Sequence, residues 1–404
     1  MPALPQPVTA LRTCAALAAC LALAACQSPN GVGLGLIDDA GDDPTAQTVA
    51  AASTDTLQTT FNTAGVADDG VVGFQARVLA GAVLDPLYGD ATATATLDAL
   101  RPVPVPPDFA DSTLVGLELQ LVRDYVYGDT TATVPLEVRA VQGGWSPTGL
   151  PSDTTLGTGD VIASFAPLAT DTLIVVPLSA DYVASAQETF TSDDFSSAFE
   201  GFSILSAADA APAPGAVLGF STTDSRIVAR TSGGDSLVYP LSEVYTELVR
   251  GEPAAPPPPG RLLLQGVAST GLALQFDLGA FADLPLARAR LKLPLDRTLS
   301  GAEGTFVRPL ALNAEFFGRV EEDGARVVLA TLSVPDEGDI ASLPLSSQLT
   351  ASIQSVLLGN VTFDRYEVLV RPTPVSLDVL PLVVEPDPDG PAPRLLLTLV
   401  GGPA

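Results

Sequence analysis

Ala287-Arg288-Ala289-Arg290-Leu291-Lys292-Leu293-Pro294-Leu295 alternates small or apolar residues with charged ones. A strand turns successive side chains to opposite faces, so this stretch sends Ala287, Ala289, Leu291, Leu293 and Leu295 toward a core and Arg288, Arg290 and Lys292 toward water. Outward from it the same period recurs. Strands are expected at 261–264, 272–278, 366–370, 376–384 and 394–400. One amphipathic helix is expected at 346–358, where Leu349, Ile353, Val356 and Leu357 share a face; it is the only good helix candidate.

Upstream, Val115, Leu117, Leu119 and Leu121 alternate with Gly116, Glu118 and Gln120. A turn at Gly128-Asp129 leads to a second alternating run, Val134, Leu136, Val138 and Ala140, so the two read as antiparallel neighbours. Further strands are expected at 171–178, 199–206, 215–220, 226–231 and 236–240. Many short strands without βαβ alternation make the chain all-β. Four successive prolines in Glu252–Gly260 can continue neither a helix nor an internal strand and read as a stiff linker. The expected layout is therefore a β-sandwich of jelly-roll type at 53–250, a linker at 251–260 and a second sandwich at 261–404.

The N-terminus carries a different signal. After Arg12, an apolar run from Ala15 to Ala25 ends in Leu23-Ala24-Ala25-Cys26, too short for a membrane span and arranged as a secretory signal. Small residues before a cysteine form a lipobox, which resembles the bacterial lipoprotein signal. That resemblance implies cleavage of 1–25, acylation of Cys26, and a mature protein anchored by lipid at the outer membrane. Residues 26–52, rich in Gly, Asp and Ala, read as a flexible tether. Its glycines Gly31, Gly33 and Gly35 lack the preceding strand and following helix of a nucleotide loop.

Composition narrows the chemistry. There is no histidine, and the cysteines are Cys14, Cys20 and Cys26, two of which leave with the signal. Ser-His-Asp and Cys-His nucleophiles, histidine zinc sites and thiol redox chemistry are thereby excluded. A net charge of −28 with 47 acidic residues repels nucleic acid and fits a high-salt habitat or an arginine-rich, high-GC genome equally. Lys292, the only lysine, faces solvent and so lacks the desolvation of an activated nucleophile. No cofactor or metal site is expected. Glu385-Pro386-Asp387-Pro388-Asp389-Gly390 mimics half a calcium loop, but the closing position is Leu396 rather than Glu. Asp85, Asp129 and Asp277 occupy turns or strand ends. Trp145, after Gly143-Gly144, suits a lid over a core and a platform for a sugar ring equally.

The order of several short segments resembles the Bacteroidota lipoproteins grouped as domain-of-unknown-function family 4270. These are Cys26 with Gly31–Ile37, Leu79-Ala80-Gly81-Ala82-Val83-Leu84-Asp85-Pro86-Leu87-Tyr88-Gly89, Asp111–Leu114, Tyr127–Thr130, Phe199–Phe202 and Leu264-Gln265-Gly266. More distantly, Leu274–Leu278, Ala287–Leu293 and Pro393-Arg394-Leu395 are similar to DNRLRE-type modules found beside polysaccharide-active enzymes. Asp-Thr-Leu triplets such as Asp55–Leu57 and Asp171–Leu173 resemble O-glycosylation acceptors of Bacteroidota. The first resemblance implies an exported lipoprotein of unassigned activity, and the second supports the fold. A non-catalytic binding or scaffolding protein is expected, with an extracellular glycan or an envelope protein as partner. The other reading is a hydrolase built on paired carboxylates, or an accessory glycan-binding subunit.

Overall fold

The structure, a computed structural model, describes residues 45–58, 61–62, 66–67, 76–103, 105, 107–147, 150, 154–192, 194–207, 215–266, 270–320, 326–335, 338, 340–342, 347–370, 374–385 and 392–400. In chain order the first strands are β1 Thr45–Gln58, β2 Phe61–Asn62, β3 Val66–Ala67, β4 Arg77–Val83, β5 Ala91–Ala99 and β6 Leu114–Asp129. Then come β7 Leu136–Val141, β8 Thr158–Phe165, β9 Leu173–Pro177, β10 Phe202–Ser206, β11 Ala216–Ser221, β12 Arg226–Thr231 and β13 Ser236–Arg250. After the proline stretch follow β14 Arg261–Gln265, β15 Thr270–Phe276, β16 Leu286–Pro294, β17 Gly301–Glu303, β18 Phe306–Arg308, β19 Asn313–Arg319 and β20 Arg326–Ser333. The last are β21 Ile340–Ser342, β22 Arg365–Val370, β23 Val379–Val383 and β24 Arg394–Leu399. The protein is all-β, as expected, with large antiparallel sheets. Among the described residues no helix is long and apolar enough to cross a membrane.

Two long strands turn corners in the first half. β13 pairs with β12 through Ser236–Pro240 and with β5 through Leu241–Arg250, while β6 pairs with β12 before Arg123 and with β11 after it. The ring β13-β12-β6-β11-β4-β5 therefore closes, and β10, β7 and β8 extend it from β5. Inside, Leu117, Leu119 and Leu121 meet Phe202, Leu218 and Ile227.

Three expectations need correction here. β6 and β7 are not paired: β7 lies between β10 and β8, because the Asp129 N–H bonds to Gly215 and the Thr130 N–H to Thr305, which carries the chain over to another part of the sheet. Val115 is 59 % exposed and Leu114 is buried in its place, since a bulge opposite Arg230/Thr231 shifts the alternation by one residue. The helix near 350 is also accompanied by others, Ala180–Ser185, Gln187–Thr191 and Phe195–Ala198. These three short helices insert Phe190 and Phe195 into the core beside Phe199, and the Tyr239 hydroxyl donates to the Phe190 carbonyl at 2.5 Å.

The second half holds an eight-stranded sheet, β20-β19-β22-β15-β1-β24-β16-β21, and a separate antiparallel pair, β14–β23. The helix Ser347–Leu357 joins the two ends of the larger sheet. The Gln348 side chain bonds to Val328 of β20, and Gln354 and Thr350 accept from the N–H groups of Leu286 and Ala289 on β16. Leu349, Ile353 and Leu357, one turn apart, fill the core it covers. On β16, Ala289, Leu291, Leu293 and neighbouring Leu295 are buried as the alternation requires, while Ala287 is exposed at a bulge beside Leu286.

β1 belongs to this second sheet, between β15 and β24. The expected boundary at residue 52 thus falls inside a strand. Its Ala- and Thr-rich side chains carry little alternation, so backbone pairing with two leucine-rich strands decides its place. The short β17–β18 hairpin makes the opposite exchange and pairs with β6 at Gly128 and Asp129. The segment between Val375 and Leu382 serves both cores: Val375, Leu377 and Val379 pack against Leu79, Tyr125 and Val217, while Leu380 and Leu382 enter the second core. The two halves consequently share a dry seam.

Candidate binding site

Along that seam lies a cleft of about 320 Å³. One wall, Pro309–Asn313, is held to β23 by the Ala311 N–H to Val379 carbonyl bond and by the Val379 N–H to Pro309 carbonyl bond. The other wall runs from Pro374 to Asp378. Arg77 and Tyr125 of the first half form its floor. The floor is fixed: the Arg77 guanidinium bonds to both Asp124 oxygens at 2.8 and 2.9 Å and lies 4.7 Å from the centre of the Tyr125 ring. The Tyr125 hydroxyl accepts from the Leu377 N–H at 3.0 Å.

Asp378 is the chemically distinctive group. Its Oδ1 is buried and has no hydrogen-bond partner, at the edge of a cleft walled by Pro309, Leu310, Ala311, Leu312, Val370 and Pro374. Burial pushes its carboxyl above the ordinary 3.8; hydrogen bonds from Ser376 and Tyr125 and the charge of Arg77 oppose that rise without cancelling it. Burial likewise pushes the Tyr125 phenol well up, reinforced by the Asp378 charge. Such a carboxyl accepts hydrogen bonds from a hydroxyl or amine when ionised and donates one when protonated. The apolar walls add shape and dryness, a combination typical of small-ligand sites.

The residues singled out by sequence lie elsewhere. Asp85 Oδ1 accepts from the N–H groups of Leu87 and Tyr88 at 2.9 and 3.2 Å, a turn role. Asp129 Oδ1 accepts from the Thr131 N–H at 2.9 Å, and Asp277 Oδ1 from the Gly279 N–H at 3.0 Å. Asp85 does more: its carboxylate, 1 % exposed, takes Tyr127 at 2.5 Å and the Arg308 guanidinium at 2.8 and 3.2 Å across the seam. Burial would raise its carboxyl, but these bonds hold it below the ordinary 3.8. Trp145 is half-buried and donates its indole N–H to the Glu200 carbonyl at 2.9 Å, over the Gly201 backbone. Lys292 is half-buried on the outward face of β16. Cys26 and 386–390 lie outside the described residues, and among the described residues no group of three potential metal ligands comes together.

Nothing in the sequence of Val375–Leu382 marks Asp378 as a site residue among 47 acidic ones. The signal it carries is position, one acid in a run dominated by Val375, Leu377, Val379, Leu380 and Leu382. No family model matches the chain, and no curated protein matches it.

Proposed function

We propose that the protein is an exported, lipid-anchored cell-envelope protein at the outer membrane that binds a hydroxyl-bearing ligand, such as a glycan, in the cleft between its two halves. The lipobox-like run ending at Cys26 and the resemblance of several short segments to family 4270 support the location. The binding role is carried by one observation, the unpartnered Asp378 Oδ1 beside apolar walls. A buried acceptor without a partner is costly, and a ligand hydroxyl offsets that cost on binding. A hydrolase reading finds less support, since Asp85, Asp129 and Asp277 are each occupied in turns.

The test is a binding assay of the chain from Gln27 onward, which keeps every described residue, on a panel of envelope and extracellular glycans. Retention without turnover, lost in Asp378→Asn, is expected. Turnover that disappears on changing one Asp or Glu to its amide overturns the reading.

A further inference from the structure

Most described arginines are committed to carboxylates, carbonyls or other polar partners. Arg288, Arg290, Lys292 and Arg394 differ: among the described residues none of the four has a side-chain ion pair or hydrogen bond. All four lie on one face of adjacent strands. In the β16–β24 register Lys292 stands opposite Arg394, with Arg290 and Arg288 two and four residues back on the same side. Steps along such a row are roughly 7 Å, and the neighbouring strand is about 5 Å away. The Nε and one Nη of Arg288 and the Nε of Arg290 are buried without partners.

Beside the four cations the face is uncharged, with Leu396 and Thr398 continuing it on β24 and Ala46, Thr48 and Ala50 on β1, and its first carboxylate along β1 is Asp55. Like charges directly opposite one another destabilise a sheet. Among the described residues no carboxylate pairs with these four cations. The face is therefore complementary to an external array of anions.

We infer that it docks on the phosphate headgroups of an anionic lipid bilayer. β1, the third strand of the face, is where the chain arrives from Cys26, and the segment 27–44 spans at most about 60 Å fully extended. The remaining acidic surface is repelled by the same bilayer, so the body meets it in one orientation. Only charges within about a Debye length count, which lets a local patch prevail over an opposite net charge. The choice of a bilayer rests on the lipid anchor proposed above, so the test uses unacylated chain and leaves that anchor to a separate experiment.

The chain from Gln27 onward is sedimented with vesicles of phosphatidylcholine alone or mixed equally with phosphatidylglycerol. At low salt it should partition onto the anionic vesicles about tenfold more strongly than onto neutral ones, and about 0.5 M salt should abolish the difference. R288Q/R290Q/K292Q/R394Q should fall to the neutral level, and the milder K292Q/R394Q should fall between. R226Q/R230Q, which removes paired arginines on β12, should bind as wild type does. Equal partition onto both vesicles overturns the proposal, as does anionic binding that survives in both patch variants. Retention on a soluble acidic polysaccharide, or self-association, without vesicle binding also overturns it.

Discussion

Asp85 and Arg308, 223 residues apart in sequence, meet as a two-pronged buried ion pair, Nε to Oδ2 at 2.8 Å and Nη2 to Oδ1 at 3.2 Å. Tyr127 completes the carboxylate's shell, and the Arg250 guanidinium bonds to the Tyr88 carbonyl beside it. The turn that begins at Asp85 thereby fastens the β17–β18 hairpin of the second half to the sheet of the first. Removing one member strands the other charge in a dry seam. Arg308→Met should cost about 3–5 kcal/mol in denaturant unfolding, and Asp85→Asn a comparable amount. Losses below about 1 kcal/mol for both would show that the pair is solvated.

Acid should unfold the protein for a related reason. Glu367 is buried under Arg319, Arg326 and Arg365, with contacts of 2.7, 2.7 and 2.8 Å. Burial would raise its carboxyl, but the three guanidiniums hold it below the ordinary 4.5, as Arg308 and Tyr127 hold Asp85 below 3.8. A carboxyl with a lowered folded pKa contributes stability that is complete above its ordinary value and lost as pH falls through the lowered one. The melting temperature should therefore hold down to about pH 5 and drop steeply below pH 4. In Glu367→Gln the drop should be shallower, from a lower starting Tm; an unchanged acid limb would contradict the assignment.

Proteolysis should separate covalent linkage from association. Gly251–Pro257 is exposed, so brief digestion should nick there. The fragments should nonetheless co-elute in size-exclusion chromatography, because the seam holds Leu79, Tyr125 and Val217 against Val375, Leu377 and Val379 and because β1 stays with the N-terminal fragment while pairing in the C-terminal sheet. Dissociation without denaturant would mean that the seam is weak.

The pattern of strands was readable because half-buried strands repeat every two residues. β12, β16, β22 and β24 and the helix Ser347–Leu357 all fall where apolar periodicity places them. Partnership was not readable, since alternation fixes a face and not a neighbour; hence the β6–β7 error. The three short helices carried a usable sign, Val183, Ala186 and Phe190 at spacings of three and four after the N-cap Ser179, but each stretch is too brief to stand out. The seam was hidden for another reason. Asp85 looks like an ordinary turn acid and Asp378 like one acid in a strand until residues hundreds of positions away bury them.

Lipidation is tested directly at the cysteine. Labelled fatty acid should enter the wild-type protein in cells and be absent from Cys26→Ser, with the variant released from the membrane fraction. Label in that variant would contradict the lipobox reading.

The most direct test of the central claim combines stability with binding at Asp378. A carboxyl whose folded pKa is raised favours folding below its ordinary 3.8, an advantage lost as pH rises through the raised value, so at neutral pH the ionised group is a liability. Asp378→Asn should therefore melt at or above the wild-type temperature at pH 7 while losing the glycan that wild type retains. Hydrogen exchange with that glycan bound should slow at Ala311–Asn313 and Val375–Asp378. Protection confined to other surfaces, or full binding by Asp378→Asn, would contradict the account.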